Sequence, residues 1–224
     1  MPTRPWLYEQ AELYDLIYHF KDYAWEAERI HAKLQGMGVA VGARLLDAAC
    51  GSANHLVHLA EWYEVSGFDQ SPQMLARARD KVPRRPLFQA DLCDFEVEEP
   101  FDVITCLFSA IGYVFPEDRL QSAAAAMYAA LRPAGVLLVE PWLTEEAFLP
   151  GSPHMNTYSD VDIKICRQVV SERRGKISVL DMNWLVARRG EAVTHMVDRH
   201  EMYLYSHETL IRVFEEAGFE ARIE

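Results

Sequence analysis

Between residues 43 and 140, five short runs of strand-like sequence alternate with segments of helical period, and this alternation sets the tightest limit on what the chain can fold into. The runs are Ala43–Cys50, Glu64–Asp69, Leu87–Asp91, Phe101–Leu107 and Val136–Glu140. Strands separated by helices cannot pair as hairpins. They pair in parallel through right-handed crossovers, which predicts an α/β domain with a doubly wound sheet. Leu13, Ile17, Ala24, Ala27, Ile30 and Leu34 recur at helical spacing, predicting one or two helices within 8–35 that end at Gly36. Helices are also predicted at 54–62, at 71–81 behind a Ser71 cap and Pro72, and at 117–131 before Pro133 and Gly135. After residue 157 the period falls to two. Lys164–Val170, Ile177–Ala187 and Val193–Tyr205, divided by Arg174-Gly175 and Arg189-Gly190, predict a three-stranded antiparallel meander. A last helix is expected at 206–217, with an incipient strand at Phe219. One domain over 1–224 is expected: a helical cap (1–36), the sheet core (43–142), the antiparallel insert (157–205) and a closing helix and strand (206–224).

Charge and composition narrow the function. Lys and Arg total 22 against 34 Asp and Glu, a net −12, so the surface should repel nucleic acid and anionic membranes. The basic pairs at 84–85, 173–174 and 188–189 are scattered and are expected to face solvent. No run approaches the roughly 18 apolar residues that span a membrane, and the N-terminus lacks the apolar run of a signal peptide. Cysteines 50, 93, 106 and 166 form no C-x-x-C, which suits reduced thiols and a cytoplasmic location. No metal is expected, because the histidines lack ligand spacing and H-E-x-x-H is absent.

The chemistry concentrates in Leu45-Leu-Asp47-Ala-Ala-Cys50-Gly51-Ser-Ala-Asn54-His55, an apolar strand that passes through a glycine into a helix. In a doubly wound sheet this turn lies at the carboxyl end of the first strand, where ligands bind. Gly51 permits close backbone approach. Asp69 ends the second strand, where a carboxylate can accept two ribose hydroxyls. Asp91 ends the third, within reach of an adenine amine. A nicotinamide dinucleotide needs G-x-G-x-x-G, but Ala53 and Leu56 stand where the second and third glycines belong. S-adenosylmethionine carries no phosphate, and Asp47 suits its ammonium. Cys50 is expected to pack and His55 to cap or pack, while Lys21 is open between a site role and a solvated side chain.

These motifs resemble class I S-adenosylmethionine-dependent methyltransferases. The likeness runs in order through D-x-x-C-G-x-x-x-H at 47–55, Asp69 with Ser71 and Met74, Ala90-Asp91-Leu92, and Leu131-Arg-Pro-Ala-Gly135. Leu13-Tyr14-Asp15-Leu-Ile-Tyr18, Lys21-Asp22-Tyr23, Phe108-Ser-Ala-Ile-Gly-Tyr113 and Glu140-Pro-Trp142 are similar to the nucleotide-sugar N,N-dimethyltransferases of desosamine-type amino sugars. The resemblance implies a Rossmann-like, seven-stranded methyltransferase sheet. The chain stops at Glu224, before that family's closing strand, so the last strand is expected to be missing. It also implies cofactor contacts from Tyr18, Tyr23, Asp47, Ala49, Gly51, Asn54, Asp69, Gln70, Met74, Asp91, Leu92 and Leu107. Tyr14 is implied as the catalytic residue beside the transferred methyl. Tyr14, Tyr113 and Trp142 are implied at the acceptor, with the insert walling that site. The expected reaction is in-line methyl transfer to a small molecule, an amine being favoured. The alternatives are O- or C-transfer to another metabolite, or a binding module without catalysis. A homodimer is allowed.

Overall fold

The computed structural model describes residues 5–224. Strands β1 (Arg44–Ala48), β2 (Glu64–Asp69), β3 (Leu87–Gln89), β4 (Phe101–Cys106) and β5 (Leu131–Val139) form one sheet in the order β3-β2-β1-β4-β5. Every pair is parallel, and the order reverses direction between β1 and β4. Asp47 stands beside Gly67 of β2 and Thr105 of β4, so its side chain lies at this switch point.

Helices α1 (Ala11–Ile17), α2 (Tyr23–Gly36), α3 (Asn54–Leu59), α4 (Pro72–Lys81) and α5 (Glu117–Ala129) precede or connect these strands. The chain breaks between α1 and α2 because Asp22 caps a new helix, accepting the Trp25 N–H at 2.9 Å. Ser71 caps α4 in the same way, at 3.1 Å from the Met74 nitrogen, with Pro72 in the first turn. Leu46, Phe68 and Ile104 bury one sheet face against Leu120, Ala124 and Met127 of α5. Leu45, Val65 and Val103 bury the other against Leu56, Leu59 and Ala78.

Strands β6 (Pro153–Ser159), β7 (Ile163–Arg174), β8 (Ile177–Arg188) and β9 (Thr194–Tyr203) form a second, antiparallel sheet. It has four strands where the period-two pattern indicates three. The added edge strand reads Pro-His-Met-Asn-Thr-Tyr-Ser and is mostly exposed, so it carries almost no apolar alternation. On the inner face, Ile163, Ile165, Met182 and Trp184 pack against Leu7, Leu13 and Ile17. Burial of those three side chains is worth about 1.5–3 kcal/mol each and fastens the N-terminal segment to the second sheet.

The expected strand at Phe219 does not form. After α6 (His207–Glu216), Phe219 packs on Tyr128 and Phe214, and Glu224 ion-pairs with Lys33 of α2. These contacts tie the segment to helices on both faces of the sheet without strand pairing, leaving β5 at the sheet edge among the described residues. The parallel sheet therefore has five strands, fewer than the seven-stranded pattern less its last strand.

Candidate active site

The loop from β1 to α3 is held in an unusual conformation. Ala49, Gly51 and Ala53 all have positive φ, at 61°, 55° and 66°. For an alanine this costs about 1–2 kcal/mol, so packing must enforce it. Part of that packing comes from Gly67, where a Cβ would sit 2.9 Å from Cys50 Sγ; only glycine lets the loop rest on β2. The Cys50 N–H also donates to the Phe68 carbonyl at 2.8 Å. Cys50 is thus a buried packing residue, and burial raises its thiol well above the ordinary range. At Gly51, by contrast, a Cβ would meet nothing within 4 Å, so the loop presents open space to a ligand.

Acidic groups surround that space. Asp69 Oδ2 accepts the Gly51 N–H at 2.9 Å and Oδ1 accepts the Ser71 N–H at 2.7 Å, which fixes the carboxylate across the turn. Asp47 is 3% exposed and accepts the Thr105 hydroxyl at 2.8 Å. Burial lifts its carboxyl to about 6, against the pull of His55 and the Thr105 hydrogen bond, and Asp69 adds to the rise. Nearby, the Tyr23 hydroxyl is buried, with Asn54 as its polar neighbour, and burial holds it above the ordinary range. An open glycine cradle and a buried, under-compensated carboxylate fit a ligand with a cationic amino-acid end. They fit S-adenosylmethionine.

Aromatic rings roof the turn. Tyr14 on α1 lies 4.9 Å from Tyr18 and 6.3 Å from Tyr8, and Tyr18 meets Phe108 edge-on at 5.1 Å. Phe108 has φ of 51°, a strained state for a bulky residue, and its N–H donates to Glu140 Oε2 at 2.7 Å. Such faces favour a sulfonium or ammonium by about 0.5–2 kcal/mol. On the insert side, Arg167 is 8% exposed, donating to the Tyr18 hydroxyl at 2.8 Å and to Asn156 at 2.6 Å. It has no carboxylate partner among the described residues, and its Nε has no hydrogen bond.

The remaining expected site residues divide. Ala49 lies in the strained loop, and Gln70 is exposed at the end of β2. Tyr113 follows β4 and faces Tyr8 at 6.0 Å. Trp142 donates from its indole to Ser178 at 2.9 Å, which anchors it on the second sheet. Leu92 and Leu107 are both 7% exposed. Met74, 1% exposed, follows the Ser71 cap on α4 and donates its N–H to the Ser71 hydroxyl.

Asp91 and Asn54 are engaged by partners that the motifs do not indicate. Asp91 takes Arg119 at 3.0 and 3.2 Å and the Cys93 N–H at 2.8 Å. Burial would raise its carboxyl, but these donors bring it below the ordinary range. Asn54 belongs to a cluster in which Asp15 of α1 accepts from Ser52 at 2.6 Å, Lys81 at 2.8 Å and Arg77 at 2.9 Å. This cluster ties the cap helix to the cofactor loop. His55 packs on Tyr23 and pairs with Glu26, which also binds Lys21 at 2.7 Å. Lys21 is therefore paired, and it lies 4.3 Å over the Phe108 ring.

Three further groups have no motif: Arg167, Asp198 and His200. Each stands in the buried phase of an alternating strand, where an ionisable side chain among apolar neighbours is itself a signal.

A doubly wound parallel sheet with a strained glycine turn at its switch point and acids at the strand ends defines a nucleoside-cofactor enzyme of the methyltransferase class. The methyltransferase-domain family matches residues 45–135. Over 213 residues the chain is 36% identical to dTDP-3-amino-3,6-dideoxy-alpha-D-glucopyranose N,N-dimethyltransferase of Streptomyces fradiae, covering 94% of this chain and 83% of that one. Its structure is similar to that of DesVI from Streptomyces venezuelae, with a TM-score of 0.87, 32% identity, and 93% and 89% of the two chains covered. A second similar structure is S-adenosylmethionine-bound CalS10, an amino pentose methyltransferase from Micromonospora echinaspora, with a TM-score of 0.83, 29% identity, and 92% and 88% covered. The chain belongs to the S-adenosylmethionine-dependent methyltransferases, in the branch that holds these sugar-modifying relatives.

Proposed function

We propose that this enzyme N-methylates the amine of a nucleotide-linked amino sugar. The observation that carries this reading is Arg167. A guanidinium that is 8% exposed and lacks a carboxylate partner among the described residues is costly unless a ligand supplies the anion. It adjoins Tyr18, and so borders the aromatic roof on the acceptor side. A diphosphate-linked sugar brings both the anion for Arg167 and an amine for the roof. The named substrate of the Streptomyces fradiae relative is of this kind.

The bound cofactor supplies an activated methyl group on a sulfonium. The protein's own part is alignment and exclusion of water, worth up to about 7–11 kcal/mol in favourable cases. In this reading Asp69 holds the ribose, Asp47, Asn54 and the Gly51 turn the amino-acid end, and Asp91 with Leu92 and Leu107 the adenine. Tyr18 and Tyr23 close over the cofactor, while Tyr14, Tyr113 and Trp142 surround the acceptor. The outer face of the second sheet exposes Met155, Val170, Leu185 and Val197, which supports cover by a second copy in a homodimer.

The test compares dTDP-3-amino-3,6-dideoxy-α-D-glucopyranose with the same amino sugar lacking the nucleotide, read as methylated product by mass spectrometry. The linked sugar should be the far better substrate. Arg167→Gln should raise its KM about 10–100-fold, the scale of a lost charge-assisted contact. Equal kcat/KM for linked and free sugar would overturn the reading.

A further inference from the structure

A continuous hydrogen-bond chain runs from the aromatic roof into the second sheet. The Tyr8 hydroxyl lies 3.0 Å from the Tyr113 hydroxyl, which lies 2.5 Å from His200 Nδ1. His200 Nε2 lies 2.8 Å from Asp198 Oδ2. Asp198 and His200 are each 2% exposed. None of these hydrogen bonds is made to the β1–α3 loop, and two of the four groups are ionisable side chains in the buried phase of β9.

The direction of the chain follows from its far end. Asp198 Oδ1 accepts the Trp6 N–H at 2.7 Å and Oδ2 accepts the Leu7 N–H at 3.1 Å. With two backbone donors already converging on it, the carboxylate acts as an acceptor toward His200, so the imidazole proton sits on Nε2. Nδ1 then carries a lone pair, and the Tyr113 hydroxyl donates to it. Tyr113 oxygen in turn accepts from Tyr8. The result is a base set behind a hydroxyl that faces the roof where a cationic amine would rest.

We propose that Tyr113, His200 and Asp198 form a proton relay that strips the acceptor ammonium so that the amine attacks as its free base. This rests on the amine acceptor proposed above. An ordinary amine arrives at neutral pH largely protonated, and an ammonium has no lone pair with which to attack. In the relay the ammonium N–H bond breaks and its electron pair stays on nitrogen. The proton joins Tyr113 oxygen as the Tyr113 proton moves to the lone pair of His200 Nδ1. The resulting imidazolium is held by Asp198. When the product leaves, the proton returns through Tyr113 to water. Burial holds the Tyr8 and Tyr113 hydroxyls above the ordinary range, so Tyr113 passes a proton without resting as a phenolate. The other titratable groups facing the chain are Tyr14 and Tyr18, from α1 and just beyond it, and Asp69 at the end of β2. Tyr113 is the group that meets the substrate, and His200 is a positioning residue that acts through it.

The experiment measures kcat and KM of wild type, His200→Gln and Tyr113→Phe on dTDP-3-amino-3,6-dideoxy-α-D-glucopyranose, from about pH 6.5 to about pH 9.5, a span bracketing the pKa of about 8 of an amine flanked by electron-withdrawing groups, as for an α-amino group. At neutral pH both variants should lose about tenfold or more in kcat, with KM changed far less. Their deficit should shrink as pH rises, because the amine then arrives neutral, and should nearly vanish at the alkaline end. A deficit constant across pH marks a merely structural role and overturns the relay, as does an unchanged rate. If His200→Gln fails to bind S-adenosylmethionine by calorimetry, Tyr113→Phe decides, since it leaves Asp198 and its backbone anchors untouched. If the wild type does not turn over the sugar, the acceptor reading fails. The relay is then judged by ¹⁵N NMR of His200 in the cofactor complex: a proton on Nε2 with a bare Nδ1 supports it, and a proton on Nδ1 overturns it.

Discussion

Lowering the pH from about 8 to about 5 should protonate Asp47 in the ligand-free protein, because burial sets its carboxyl at about 6. A cationic ligand favours the ionised form, so binding must expel the proton at a cost that grows as pH falls. With a pKa of about 6 and a much lower value in the complex, affinity for S-adenosylmethionine should drop about tenfold between pH 8 and pH 5, or about 1.4 kcal/mol. Stability should move the opposite way. The folded pKa lies above the unfolded value, so the Asp47 contribution is fully present below the unfolded pKa and is lost as pH rises through about 6. The shift of roughly two units on this fully buried group is worth about 3 kcal/mol. Calorimetry in buffers of differing ionisation enthalpy should record release of about half a proton per cofactor bound near pH 6. Asp47→Asn should abolish that release and flatten the affinity profile while lowering affinity at pH 8 by about 10–100-fold. A wild-type profile that is flat from pH 5 to pH 8, with no proton released, would refute the reasoning.

The other expectations concern the loop, the cap and the outer sheet. Gly51→Ala should cost about 1–2 kcal/mol in folding from its φ of 55° and place a methyl in the cofactor's space, so that calorimetric affinity falls by more than the melting temperature alone would suggest. Asp69→Ala should weaken cofactor binding by about 1–3 kcal/mol, whereas Tyr14→Phe should leave it intact and lower kcat; equal turnover would remove Tyr14 from the site. Asp15→Asn should loosen the cap and speed cofactor release in stopped-flow chase experiments. Burial raises the Asp15 carboxyl, but Lys81, Ser52 and Arg77 bring it below the ordinary range, so its contribution to stability holds above the unfolded pKa and is lost as pH falls through the folded one. Leu185→Glu should yield a monomer by light scattering if two copies pack through the outer face of the second sheet; an unchanged dimer would place the interface elsewhere.

The parallel sheet was legible because short strand-like runs, the first of them mostly apolar, alternate with helical period, and Asp69 and Asp91 stood out because each ends such a run. Strand β6 was not, since a mostly exposed edge strand needs no apolar phase, and its pairing with β7 is decided by backbone groups that every residue carries. The same logic divides the site. Asp47, Gly51 and Asp69 are read from the order of the chain because they share one βαβ unit. Asp15 reaches Lys81 across 66 residues and Arg167 reaches Tyr18 across 149, and no local spacing encodes such a meeting. A different rule does reach them. In β7 and β9 the buried phase reads Ile163, Ile165, Arg167, Val169 and Met196, Asp198, His200, Met202, so each ionisable residue interrupts an apolar series on the side that faces the protein. Burying a charge there is expensive unless something repays it through a partner or a ligand. Asp198 and His200 find each other, two backbone N–H groups and the Tyr113 hydroxyl, whereas Arg167 finds only neutral oxygens. On the proposed reading, the acceptor side is encoded in the interruptions of the strands, as the cofactor side is encoded in their ends.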